Sequence, residues 1–123
     1  MNKYFNIAII VVVILFLTSC NRVDLNNKNE IKDYLEKYTF EYVDYSANMT
    51  SFMQFDNNTC KLTIYLNGEL FGVKKYDYSL GDFDYDNVRI NIKDNEGNWE
   101  IRKDGNLYLV NRGEIFVYLY KDI

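Results

Sequence analysis

The sequence predicts a mainly β protein, either an antiparallel up-and-down meander or a small eight-stranded barrel. One amphipathic helix and an N-terminal signal helix are expected to precede the strands. Two observations carry this prediction. Apolar and polar residues alternate in short segments that are separated by turns rich in Asn, Asp and Gly, which is the pattern of strands joined by hairpins. Aromatic residues, which favour strands, make up 17% of the chain.

Composition excludes several classes of protein. The 123 residues suffice for one domain, and the net charge of −4 without a basic patch argues against a nucleic-acid partner. The chain has no histidine, which removes the commonest general base and the commonest zinc ligand. We therefore expect no enzyme activity, no metal site and no cofactor.

The N-terminus carries an apolar segment that is too short to cross a membrane. A polar start with Lys3 leads into unbroken apolar sequence from Ile7 to Leu17. Eleven helical residues span roughly 16 Å, about half of a bilayer core of about 30 Å. A short cationic start followed by a short apolar run and small residues is typical of a secretory signal.

The end of this segment, Leu17-Thr18-Ser19-Cys20, resembles the lipobox of bacterial lipoproteins. The resemblance implies cleavage between Ser19 and Cys20 and attachment of lipid to the Cys20 thiol. Residues 1–19 would then be a lipoprotein signal peptide. The protein would be held by Cys20 on the extracytoplasmic side of the cell membrane or outer membrane, because two or more acyl chains give stable anchoring.

A polar segment and a helix are expected before the strands. Residues 20–29 are Asn-rich and predict a lipidated tether, with the domain following over 30–123. Asn27 is a candidate N-cap with Glu30 three residues later, a variant of the capping box. A helix is predicted at about 28 to 38, with one apolar face formed by Ile31, Tyr34, Leu35 and Tyr38.

Eight strand-like segments follow, in which the period changes from 3.6 to 2. They cover residues 39–45, 49–55, 61–66, 69–80, 86–94, 99–102, 107–110 and 114–120. Asn67-Gly68 is a strong two-residue hairpin signal, because both residues accept positive φ. Val88, Ile90 and Ile92 alternate cleanly and are predicted to face inward.

This arrangement of leader, polar tether and meander resembles the small lipocalin-like domains of bacterial lipoproteins. The phrases FDNNTCKLTIY and IRKDGNLYLV carry the resemblance in the meander. It implies a β-barrel, and it makes transport of a small apolar ligand one alternative for the function.

Three features of the domain are candidate sites, namely an acidic segment, Cys60 and the last strand. Asp82, Asp84 and Asp86 resemble the start of a calcium loop, but Lys93 stands where a bidentate glutamate is needed, so we expect a solvated polar face. Cys60 is expected to be a small buried hydrophobe.

The last strand, EIFVYLY, is apolar on both faces. Phe116, Tyr118 and Tyr120 lie on one face, taken here as the outer one, and Ile115, Val117 and Leu119 lie on the other. Either the predicted helix covers these aromatic side chains, or they form a surface for an envelope protein or glycan.

These observations predict a membrane-anchored lipoprotein with a non-catalytic binding or structural role at the cell envelope. Two alternatives stay open. One is a lipocalin-like carrier of a small apolar ligand, and the other is an inhibitor or immunity-type protein that blocks a partner.

Overall fold

The computed structural model describes residues 23–83 and 86–122, which form one helix followed by eight antiparallel strands. Helix α1 spans Lys28–Lys37. The strands are β1 Tyr38–Asp44, β2 Met49–Asp56, β3 Thr59–Leu66, β4 Glu69–Phe83, β5 Asn87–Ile92, β6 Asn98–Arg102, β7 Leu107–Asn111 and β8 Glu114–Asp122. Each strand pairs with its neighbours in sequence, and β8 pairs with β1, so the sheet is a closed barrel. The predicted barrel with one preceding helix is confirmed, whereas the predicted signal helix lies outside the described residues.

Tight turns set the register of the hairpins. Asn67 and Gly68 alone connect β3 to β4, with φ angles of 54° and 80°, as the Asn-Gly signal predicted. Arg112 and Gly113 connect β7 to β8 in the same way, with φ angles of 52° and 82°. The Asn48 side chain in the β1–β2 turn donates a hydrogen bond to Oδ1 of Asn67 at 3.0 Å, which joins two neighbouring turns at one end of the barrel.

Strands β4 and β8 each change partner along their length. Residues 69–77 of β4 pair with β3, whereas Tyr78 to Phe83 pair with β5. Strand β8 pairs with β7 over 114–118 and with β1 over 119–122. One extra residue of β4, Phe71, has no partner between Leu70 and Gly72, which marks a β-bulge. Near the end of the barrel that carries the Asn67-Gly68 turn, β4 is therefore not paired with β5, and β8 is not paired with β1.

The barrel interior is a packed core of apolar and aromatic side chains. Alternate residues of each strand face inward, so cross-strand partners share a face. Val88, Ile90 and Ile92 are buried, as the alternation predicted. Burying one large apolar side chain contributes about 1.5–3 kcal/mol. The largest fully buried side chains are Trp99, Phe40, Ile31, Leu35, Met53, Ile90, Ile101, Leu107 and Val88.

Helix α1 closes the opposite end of the barrel from the Asn67-Gly68 turn. The Asn27 side chain accepts a hydrogen bond from the Glu30 amide at 3.1 Å, so the predicted N-cap is confirmed. The Tyr34 hydroxyl donates to the carbonyl oxygen of Gly105 at 2.8 Å, in the β6–β7 turn. Nζ of Lys32 donates to Oδ1 of Asn58 at 3.0 Å, in the β2–β3 turn. The helix thus crosses from one wall of the barrel to the other.

Two apolar side chains of the segment before α1 pack onto the domain. Val23 and Leu25 are buried and belong to the core cluster. The lipidated tether over residues 20–29 stays a prediction; of its described residues, Val23 and Leu25 are buried, whereas Asp24, Asn26 and Asn27 are exposed. Within residues 23–83 and 86–122, no helix has the length and apolar character needed to cross a membrane.

Candidate functional site

The predicted lipid-attachment site lies outside the described residues. Ser19 and Cys20, between which cleavage is predicted, precede Val23, the first residue that the structure describes. Three Cα–Cα steps separate Cys20 from Val23 and span at most roughly 11 Å. A lipid on Cys20 would therefore be held close to the folded domain.

The aromatic face of β8 points into the barrel, and its predicted outer position is wrong. Tyr118 is 5% exposed, and its ring centroid lies 5.2 Å from that of Trp99. Phe116 is half-buried against Tyr42, with the ring centroids 5.6 Å apart. Tyr120 lies at the end of the barrel that α1 closes, where its ring centroid is 5.6 Å from that of Tyr38. The three aromatic side chains are therefore part of the interior packing.

The aliphatic face of β8 is correspondingly the outer face. Ile115 and Leu119 are both about half exposed. Leu119 begins a row of cross-strand partners on the outside of the barrel. The row runs across five strands as Leu119, Glu41, Phe52, Thr63 and Val73. A partner that contacts this wall would meet aliphatic and not tyrosine side chains of β8.

Exposed apolar side chains concentrate on the β3–β4 hairpin. Leu70 is 59% exposed, Phe71 is 71% exposed, and Tyr65 and Val73 are also exposed. The Tyr65 ring packs edge-on against Phe52 of β2, with centroids 6.0 Å apart, which extends the patch onto the neighbouring strand. We call these five residues the hairpin patch. Large exposed apolar patches on soluble domains mark interaction sites.

Lysines lie along β3 and β4 beside the hairpin patch and in a groove that Asp77 and Asp94 also line. Lys61 of β3 and Lys75 of β4 are direct cross-strand partners, an arrangement of like charges that is destabilising. Lys74, Lys75 and Lys93 line an open groove of about 400 Å³ between β4 and the β5–β6 turn. Among the residues that the structure describes, no ion pair involves any of these four lysines. The groove therefore offers cationic groups to an anionic partner.

The Cys60 thiol is unsuited to nucleophilic chemistry. Cys60 is buried, as its predicted packing role requires. Burial raises the pKa of the thiol to about 12, with a smaller contribution from the negative charge of Asp77. The thiol is thus protonated at neutral pH, whereas nucleophilic cysteines act as thiolates.

The acidic loop does not assemble a metal site among the described residues. Asp84 is outside them, Asp82 is exposed, and Oδ1 of Asp86 forms an ion pair with Nζ of Lys103 at 3.3 Å. In the described part of the chain, no group of three or more Cys, Asp or Glu side chains is placed to hold a metal ion.

Comparison of the chain with protein-family models, with curated proteins and with solved structures gave no match. The candidate site is therefore defined by geometry alone. Sequence reasoning did not single out the hairpin patch. The sequence feature that could have indicated the patch is the run Leu70-Phe71-Gly72-Val73. It has adjacent apolar residues, whereas a strand with one solvent-exposed face alternates apolar and polar residues.

Proposed function

We propose that this protein is a membrane-anchored extracytoplasmic lipoprotein with a non-catalytic binding role at the cell envelope. Cys20 carries the lipid, and the hairpin patch with its bordering lysines contacts a partner protein. The observation that carries the binding role is the exposure of Leu70, Phe71 and Val73 on one hairpin beside unpaired cations. Aromatic and aliphatic anchors surrounded by a polar rim are typical of protein interfaces.

The short distance from Cys20 to the domain gives the binding surface an orientation. Val23 is buried close to the start of α1, and α1 closes the end of the barrel opposite the Asn67-Gly68 turn. Acyl chains on Cys20, at about 0.8 kcal/mol per buried methylene, hold that helix end against the membrane. The tip of the β3–β4 hairpin then points away from the membrane, toward the envelope space where a partner would lie.

Side-chain chemistry supports a non-catalytic role. The chain has no histidine to act as a general base for a serine or cysteine. The Cys60 thiol has its pKa raised by burial and is inaccessible to a substrate. Binding through a surface requires no such groups.

The lipocalin-like carrier alternative makes a different demand on the barrel. A carrier needs an internal cavity for its ligand, and Trp99, Phe40 and Tyr118 instead occupy interior positions as buried side chains. This packing favours binding on the outer wall. An apolar fluorescent dye separates the two functions. Uptake that changes in Trp99→Ala and not in Phe71→Ala would favour the carrier.

Metabolic labelling with a fatty-acid probe tests the anchor. Wild-type protein should incorporate the probe and fractionate with membranes, whereas Cys20→Ala should do neither. Cys60→Ala provides the matched control, because it removes the other cysteine of the chain and should leave labelling unchanged. Equal labelling of wild type and Cys20→Ala would contradict the lipoprotein proposal.

A further inference from the structure

The outer half of β4 is a sheet edge. Residues 69–77 pair with β3 on one side, and pairing with β5 begins only at Tyr78. Within residues 23–83 and 86–122, no strand pairs with the second edge of residues 69–76. Every second residue along such an edge directs its backbone N–H and C=O groups outward. An edge of this length is a template for another strand.

The groove beside this edge carries positive charge. Its volume of about 400 Å³ lies between the edge and the β5–β6 turn, where Lys93 and Asp94 stand across from Lys74 and Lys75. Asp77 also lines the groove, so that three lysines face two carboxylates in a protein whose net charge is −4. The local charge of this groove is therefore opposite in sign to that of the whole chain.

Side chains suited to contact an added strand flank the same edge. Leu70 and Val73 lie on the outer face of the hairpin, as cross-strand partners of Tyr65 and Thr63. Phe71 is set out of the regular ladder by the bulge and is 71% exposed. In β-strand addition, backbone hydrogen bonds supply affinity and the alternate side chains supply specificity.

We propose that residues 69–76 of β4 are a strand-addition site for an extended segment of a partner protein, one that alternates apolar residues with Asp or Glu. This inference rests on the proposed binding function and specifies its mode. The apolar residues of the segment pack on the outer face beside Val73, and its carboxylates, on the opposite face, meet Lys74, the cross-strand partner of the inward-facing Leu62. Because opposite charges across neighbouring strands attract, the unpaired lysines select for an acidic segment.

The same lysines disfavour a second copy of the protein as the added strand. When two β4 edges meet about Lys74 and Lys75 in antiparallel fashion, lysines of one copy lie opposite lysines of the other. Like charges at such positions are destabilising, and edge lysines are a common means of preventing self-pairing. The edge lysines therefore disfavour pairing with β4 of a second copy and favour pairing with an acidic segment.

Fluorescence anisotropy of labelled peptides with the full-length protein in detergent tests this proposal. The probe is a nine-residue peptide of alternating valine and glutamate. It should bind saturably, and N-methylation of every second residue on its pairing edge should weaken binding by about tenfold or more. Replacing its glutamates by lysine should weaken binding by about tenfold as well. A peptide that binds equally well after N-methylation would overturn strand addition, as would the absence of binding by the parent peptide.

Charge-reversal variants locate the site on the protein. The double variant Lys74→Glu/Lys75→Glu should lose affinity for the glutamate peptide by about tenfold and gain affinity for the lysine peptide. The single variant Lys75→Glu has a matched control in Arg112→Glu, in the exposed β7–β8 turn on the other side of the barrel, which changes the net charge equally and should bind as wild type does. Circular dichroism checks that each variant is folded. Equal effects of the two sites would show that only net charge matters and would reject the groove.

Two further outcomes separate this inference from its alternatives. Sedimentation of the protein without peptide should show no dimer formed through the β4 edge. A dimer whose stability changes in Lys74→Glu would assign the edge to a second copy instead. Peptide binding should be the same for Cys20→Ala as for wild type, because the groove does not involve the lipid. Failure of the peptide experiment therefore leaves the anchor proposal intact, and failure of fatty-acid labelling leaves the strand-addition site intact.

Discussion

The hydroxyl oxygen of Tyr118 lies 3.0 Å from Oγ of Ser51, and this hydrogen bond joins β8 to β2 through the interior of the barrel. The two strands are not neighbours in the sheet, since β1 lies between them. Ser51 is the buried polar residue of the described core, and Tyr118 is its partner. A buried hydroxyl pair is stable only while both partners are present, because an unpaired buried hydroxyl keeps its desolvation cost.

We expect the two hydroxyls to be coupled in a double-mutant cycle. Tyr118→Phe and Ser51→Ala should each lower the free energy of unfolding by about 1–3 kcal/mol, because each leaves one hydroxyl unpaired. The double variant should cost less than the sum of the two, with a coupling of about 1 kcal/mol. Urea denaturation followed by the fluorescence of Trp99, the one tryptophan of the chain, measures all four proteins. Strict additivity would show that the hydrogen bond does not contribute.

Two phenylalanines at opposite extremes of burial should respond differently to truncation. Phe40 is 0% exposed in the core, whereas Phe71 is 71% exposed on the hairpin patch. Phe40→Ala should lower the free energy of unfolding by about 3–5 kcal/mol, and Phe71→Ala by less than about 1 kcal/mol. Denaturant melts of both variants provide the comparison. A cost for Phe71→Ala close to that for Phe40→Ala would mean that the hairpin patch is covered within the protein.

Stability should fall at alkaline pH, for a reason that involves Cys60. Burial raises the pKa of its thiol from 9.0 to about 12, and burial likewise raises the pKa of the Tyr78 hydroxyl from 10.0 to about 12. Because folding holds both groups in their protonated forms, this contribution is complete below pH 9 and declines as the pH approaches 12. Urea midpoints measured from pH 7 to 11 should fall above pH 9, and less so in Cys60→Ala. A flat profile for wild type would contradict the effect.

The N-cap of α1 offers a local test of the helix. Asn27→Ala removes the acceptor of the Glu30 amide, and should destabilise the domain by about 1 kcal/mol. Asn27→Ser retains a capping oxygen and should be close to wild type. Thermal melts by far-ultraviolet circular dichroism distinguish the two variants. If both lost the same stability, the role of Asn27 would lie in its size and not in capping.

Local chemistry is sufficient to predict most of the secondary structure. The β3–β4 turn at Asn67-Gly68 and the start of α1 after Asn27 follow from positive φ and from capping, which depend on a few adjacent residues. Alternation placed Val88, Ile90 and Ile92 inward because one side of that strand is polar. Short hairpin connections predict that consecutive strands pair in antiparallel fashion, and eight such strands can close into a barrel.

The sequence by itself thus determined the helix, the number of strands and their approximate bounds, because periodicity and turn residues act over a few positions. Only the tertiary structure decided which face of EIFVYLY is buried, since both faces are apolar and the choice depends on contacts of Phe116, Tyr118 and Tyr120 with distant strands. The tertiary structure also decided that β4 extends beyond its pairing with β5, which leaves an unpaired strand edge beside lysines that form no ion pair among the described residues. The physical reason is that register and strand length relative to a neighbour are properties of pairs of segments, which no single segment encodes.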